Sequence, residues 1–376
     1  MGDQSRPGIT VAWSDDAVSL TAAVRQLVVE DHDRLVDEAR ITLDDAHELA
    51  ANAFAPGQAI DVAMGWGDER TRIFTGKIVR VGGSTGSQGG ITLVVHDPSA
   101  AMHRARVGRP FPEKSKLSAI VRAIKESYTD IPEGEVACDP DPTFEAPNVP
   151  SQLDRTDYQF LQELAAVWGC RCFVEVNDEA AQFYFKSVKS LFAAKPLATL
   201  SHCRGWGNVL TFRYERVAAR AARQLVNTVT DPRTGTPTVT QGTPPPAPPP
   251  ASGTVAPDVA TAEPGVARAN ETATKVAAAT SHDPPLVLAQ LGLPSDPAKA
   301  ASLVVTDPTQ VIGYRGVAKV VGHAGLRAKG RVTVNGIATW AEGDWWVKRA
   351  THTWTKARDA RDRPTASWET ELELTR

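Results

Sequence analysis

The chain has 376 residues, 42% of them hydrophobic and 23% charged, with a formal net charge of −3, an ordinary balance for an ordered globular protein. With no run of Lys or Arg, this charge gives no electrostatic case for nucleic-acid binding. No apolar stretch approaches the ~20 residues of a membrane span, and the N-terminal MGDQSRPG lacks a basic-then-apolar signal. The expectation is a soluble protein made in the cytoplasm and divided into two or three domains.

Residues 7–97 read as β throughout. Ile9, Val11 and Trp13 alternate with polar or small neighbours, residues 27–29 form a short apolar run, and Ala39, Ile41 and Leu43 alternate with Arg40, Thr42 and Asp44. Ile60, Val62 and Met64 lead into the turn Gly65-Trp66-Gly67-Asp68, and residues 74–81 pair with what precedes them. The glycine-rich loop 82–90 joins that strand to residues 91–95. It has no Gly-Lys-Ser/Thr, so it reads as a hairpin loop and not as a phosphate cradle. About six short strands between turn signals predict a first β-barrel or sandwich over residues 1–107.

Residues 108–200 change to an α+β pattern. Ser115 is placed to cap a helix carrying Leu117, Ile120, Val121 and Ile124, and Pro132 follows its end. A loop with Pro140, Pro142, Pro147 and Pro150 leads to the clearest helix of the chain. There Thr156 and Gln159 are spaced as a capping box, Phe160, Leu161, Leu164, Ala165, Val167 and Trp168 share a face, and Gly169 ends it. Burying Phe160, Leu161, Leu164 and Trp168 contributes roughly 6–12 kcal/mol before entropy is subtracted. Two strands follow, 170–176 and 182–185, joined near Asn177-Asp178.

A second β domain is expected from residues 201–230 together with 301–376. Its strands are predicted at 209–214, 224–229, 312–321, 331–336, 345–354 and 368–374, with a charged hairpin tip at 358–363. Residues 231–300 between them read as a Pro/Ala-rich insertion, partly disordered, with a polyproline run at 244–250 and an Ala-rich helical segment at 267–279 stopped by Pro284-Pro285.

No catalytic, cofactor or metal site emerges. Cys138, Cys170, Cys172 and Cys203 are too few for a disulfide framework. Cys170 and Cys172 with His202 and Cys203 could be drawn as zinc ligands, but C-x-C is not the structural zinc spacing, and buried core thiols are the favoured reading. Asp15-Asp16 and Asp44-Asp45 are adjacent pairs that point to opposite faces of a strand. His323 falls in a turn and His352 in a strand, with no HExxH and no G-x-S-x-G in the chain. Trp340, Trp345, Trp346, Trp354 and Trp368 crowd the C-terminal part, as a sugar-binding platform or as core and subunit interface. The chain is expected not to be an enzyme; a cell-wall hydrolase and a carbohydrate-binding β module stand as alternatives.

The order of these segments resembles the baseplate hub proteins of contractile phage tails and injection systems, the family of phage late control protein D, the T4 phage hub and the N-terminal half of VgrG. In the first β region the likeness lies in Asp37-Glu38-Ala39 with Ile41 and Leu43, Pro56-Gly57, Phe74-Thr75-Gly76-Lys77-Ile78 and Leu93-Val94-Val95-His96-Asp97. In the middle it lies in Thr156-Asp157, Phe160-Leu161, Leu164-Ala165 and Gly169, and at the end in Gly322-His323, Leu326, Val332, Val334, Gly336-Ile337, Gly343-Asp344-Trp345, Val347 and Thr351-His352. The resemblance implies a mainly β fold with two tail-tube-like barrels flanking a small α+β module. It implies a homotrimer that adapts a sixfold inner tube to a threefold spike. Its implied partners are the inner tube protein, a separate spike protein and other baseplate proteins, in a phage tail or injection-system particle.

Overall fold

The computed structural model describes residues 6–13, 18–44, 53–85, 89–146, 149–177, 180–202, 207–216, 226–230, 237–241, 314–358 and 364–376. Alternation builds the first region. β1 (Pro7–Trp13) turns Ile9 and Val11 inward, and after the short β2 (Val18–Ser19) comes β3 (Val24–His32), which buries Val24, Leu27 and Val29. β3 is longer than its apolar run because β4 (Glu38–Asp44) supplies ladder partners as far as Glu30. β5 (Ala59–Trp66) buries Ile60, Val62 and Met64. β6 (Thr71–Ser84) and β7 (Gly90–His96) form the hairpin expected of the glycine-rich loop, with Ser84 opposite Gly90; residues 86–88 of that loop lie outside the described residues.

In the middle region β8 (Arg106–Arg109) pairs with β10 (Gln152–Thr156), while α1 (Leu117–Lys125), β9 (Glu133–Ala137), α2 (Asp157–Val167), β11 (Cys170–Val176) and β12 (Ala181–Ser187) enclose one apolar core, and α3 (Val188–Ala193) follows β12. The α1 stripe of Leu117, Ile120, Val121 and Ile124 is buried as read. Its cap is not. Ser115 Oγ donates to the Pro112 carbonyl, and the Ser118 N–H and hydroxyl are taken by the Asp141 carboxylate at 2.9 and 2.8 Å, from 23 residues away. Local spacing cannot reveal a cap supplied by another loop. β9, which runs parallel beside β12, has the sequence Glu-Gly-Glu-Val-Ala and shows no alternation to announce it.

α2 follows the sequence closely. Thr156 Oγ1 accepts from the Gln159 N–H at 3.2 Å and Gln159 Oε1 accepts from the Thr156 N–H at 3.1 Å, completing the capping box. Gly169 has φ 61°, which allows the chain to leave the helix. Thr156→Ala is expected to lower stability by about 1 kcal/mol in chemical denaturation, with unchanged circular dichroism of the folded state.

The last region contains β13 (Thr199–Ser201), β14 (Val209–Arg216), β15 (Val226–Thr230), β16 (Pro237–Gln241), β17 (Tyr314–Val321), β18 (Arg331–Asn335), β19 (Gly343–Arg358) and β20 (Pro364–Thr375). Within the Pro/Ala-rich insertion, β16 pairs antiparallel with β15, with Pro237 at the strand's first residue, where a missing N–H is tolerated. The polyproline run and the Ala-rich segment at 267–279 lie outside the described residues.

The fold is mainly β with a small α+β insert, and a 13-stranded sheet runs through both β regions. The run β19-β3-β4-β7-β6-β5-β1 curls round one core, and the Trp354 Nε1–H donates to the Pro7 carbonyl where its ends meet. The run β14-β17-β20-β19-β18-β13 curls round another, with Asn208 bridging the Ser201 N–H and the Thr199 carbonyl. β19 and β20 belong to both. Trp354 and Trp368 fill the first core, while Trp345, Val347, Leu372 and Leu374 of the same two strands fill the second.

Candidate functional site

The residues singled out from the sequence do not converge on an open site. Trp345, Trp346, Trp354 and Trp368 are buried, and Trp340 is half-buried, so at least four of the five rings serve as core and not as a sugar platform. Trp345 meets Phe212 edge-on at 5.6 Å, and Trp346 stacks on Phe192 at 6.0 Å. Cys170 and Cys172 sit in the middle core; the Cys138 thiol and burial push Cys170 up, and burial pushes Cys172 up. His202 is exposed, and Cys203 lies outside the described residues. Asp44 is a surface partner of Arg25 at 2.8 Å; Asp15, Asp16 and Asp45 lie outside the described residues.

The His residues explain part of the C-terminal motif. The His323 N–H donates to Thr370 Oγ1 at 3.2 Å, His352 Nδ1 lies 3.0 Å from the same hydroxyl, and His352 Nε2 lies 3.0 Å from the Leu326 carbonyl. A carbonyl only accepts, so Nε2 carries the proton. Burial pushes His352 down to about 4, which keeps it neutral. Gly322-His323, Leu326 and Thr351-His352 are thus one hydrogen-bonded turn on β19 and β20. Gly322 is glycine for room: a Cβ there would lie 2.1 Å from the Trp368 ring, while its carbonyl accepts from Trp66 Nε1 at 2.8 Å.

The most unusual chemistry lies where the three regions meet. After that turn, residues 326–330 carry Lys329, a non-glycine residue at φ 65°, into a pocket of carboxylates. Lys329 Nζ is 2.5 Å from Asp31 of β3, 3.2 Å from Asp37 of the β3–β4 loop and 3.4 Å from Glu175 of β11. The Lys329 and Asp31 side chains are each 2% exposed, whereas Glu175 at 22% reaches the rim. The Ala328 N–H donates to the second oxygen of Asp31 at 3.0 Å, and the His32 N–H to Asp37 at 2.8 Å. Phe173 presents its ring 5.1 Å from the ammonium. Arg327 bonds Glu175 at 3.0 Å and the Ile73 carbonyl at 2.5 Å, while Arg171 of β11 lies 3.5 Å from Asp33 and over the Trp346 ring.

Burial works against ionising Lys329, but Asp31, Asp37 and Glu175 outweigh it and hold the ammonium well above its usual range. For Asp31, too, burial is outweighed: Lys329 and Arg327 hold its carboxyl below its usual value. Such an enclosed arrangement offers nothing to a substrate; what it does is fasten the last region to the other two. Asp37 and Asp97 stand among the motif residues of the sequence, but Asp31, Arg171, Glu175 and Lys329 carried no signal there. Their partners are up to 298 positions away.

Comparison with known proteins agrees with this architecture. No curated protein matches the sequence. Among solved structures, the chain is similar to the tail protein from Neisseria meningitidis MC58, with TM-score 0.63 and 12% identity, covering 99% of this chain and 97% of that one. It is also similar to the 43 kDa tail protein of prophage MuSo2 from Shewanella oneidensis, with TM-score 0.56, 11% identity and coverage of 98% and 96%. A third is an E. coli component of the type VI secretion system, itself described as similar to T4 bacteriophage tail proteins gp27 and gp5, with TM-score 0.51, 12% identity and coverage of 94% and 73%. At these identities the likeness is one of fold, and the fold is that of phage tail and type VI secretion proteins. The family model of the Alg8 N-terminal domain matches residues 4–191, half of the chain, and the protein belongs to that family.

Proposed function

We propose that the protein is the structural hub of a contractile tail or injection-system baseplate, acting as a homotrimer between a sixfold inner tube and a threefold spike. The observation that carries this reading is the pair of curled β cores in one chain, built on shared strands. Three such chains present six similar units to one neighbour and three identical subunits to another, which is what a change of symmetry along one axis requires. The fold shared with tail proteins of a Neisseria strain and a Shewanella prophage supports it. In this reading the chain is not an enzyme, its contacts are with tube, spike and other baseplate proteins, and its place is in the assembled particle.

Native mass spectrometry of the purified chain, with electron microscopy of the particles that contain it, tests the proposal. Three copies per assembly, in a ring between tube and spike, are the expected result. A chain that stays monomeric in the particle, or that lies away from this ring, overturns it.

A further inference from the structure

Charges inside the junction do not balance. Asp31, Asp37 and Asp97 are buried with one ammonium, that of Lys329. At the rim Glu175 is matched by Arg327, and the buried Asp33 is matched by the buried Arg171. Lys329 is closest to Asp31, which leaves Asp37 and Asp97 undercompensated. These two are tied to each other: the Asp37 N–H donates to Asp97 Oδ2 at 3.1 Å, and the Asp97 N–H donates to the Asp37 carbonyl at 3.1 Å. The other oxygen of Asp97 accepts from the Ser99 N–H at 2.7 Å. A carboxylate taken out of water without a matching cation neutralises by keeping its proton.

We propose that the junction is a proton-binding site: one proton, taken up on either the Asp37 or the Asp97 carboxyl, completes the packing of the three regions, and its loss frees the 326–330 loop. This does not depend on the hub reading. The groups that face the pair are Asp31 from β3, Glu175 from β11 and Lys329 from the loop, with Arg327 of the loop and His352 of β19 beyond them on the Asp31 side and the neutral Tyr158 of α2 and Cys172 of β11 behind. Burial and the Asp31 charge raise Asp37 well above the usual carboxylate range despite Lys329, and burial raises Asp97. The pair titrates as a unit.

A proton held more tightly in the closed junction than in the open one favours closure. That contribution is complete below the ordinary carboxyl range and is lost as pH rises through the closed-state value. Asp31 works the other way, because its carboxyl is held low and its contribution is lost as pH falls. The junction is therefore tightest in mild acid and loosens on the alkaline side.

Hydrogen exchange on the full chain tests this at the Ala328 and Lys329 amides, which donate to Asp31 and to the Val347 carbonyl. Corrected for intrinsic rates, their protection should fall about tenfold or more between about pH 5 and about pH 9 in the wild type. Asp37→Asn, neutral and of the same shape, should stay flat, and Asp97→Asn serves if that variant does not fold. Wild-type protection that does not change with pH overturns the proposal, as does a variant whose slope equals the wild type's.

Discussion

Leu164→Asp is expected to unfold the middle region. Leu164 lies on the inward face of α2 and is fully buried, in a core with Phe160, Leu161 and Trp168 of its own helix segment, Ile120 and Ile124 of α1, and Phe183 and Phe185 of β12. Losing a buried leucine costs about 2–5 kcal/mol, and a carboxylate with no cation near it adds several more. The total is comparable with the whole stability of a small domain. In thermal denaturation the variant should lose the cooperative transition of the middle region, and circular dichroism should show the loss of helix. A melting curve superimposable on the wild type would mean that this face of α2 is not core.

Lys329→Met should be nearly as damaging, for the opposite chemical reason. The substitution keeps the unbranched stem of the side chain and removes the ammonium, leaving Asp31 enclosed with only Arg327 at a distance. Breaking a buried pair from one side costs about 3–5 kcal/mol. With Lys329 gone, burial drives the Asp31 carboxyl upward, so the variant recovers stability as pH falls and Asp31 takes up a proton. Urea denaturation at two pH values measures this. The double variant Lys329→Met with Asp31→Asn should recover more than half of the loss, since it removes the stranded charge. A deficit that is equal at both pH values, and is not relieved by the second substitution, would show that Lys329 acts through packing alone.

Periodicity and caps revealed what is local. The α2 box, Gly169, the α1 stripe and the β6–β7 hairpin all follow from neighbours a few residues apart, and each stands in the structure. What was hidden depends on distant parts of the chain: Asp141 capping α1, β9 lying beside β12, β16 pairing with β15, and β19 extending beyond its apolar residues because β3 and β18 both lean on it. The junction was hidden for the same reason. Asp31 looks like an ordinary strand residue and Lys329 like an ordinary surface residue until the fold brings them to 2.5 Å. The motif glycines and histidines were visible as a pattern, and the structure supplies their reason in the space beside Trp368 and in the turn that Thr370 and His352 hold.

The sharing of β19 and β20 between two cores also orders events on the ribosome. The first β region is synthesised first, but Trp354 and Trp368 of its interior and the strand that flanks β3 belong to the last part of the chain. The earlier half of the nascent chain therefore waits with an unfilled interior and the edge of β3 open until β19 and β20 have emerged. A chain cut short anywhere before β20 cannot complete either β core. Only copies that include β19 and β20 close both cores.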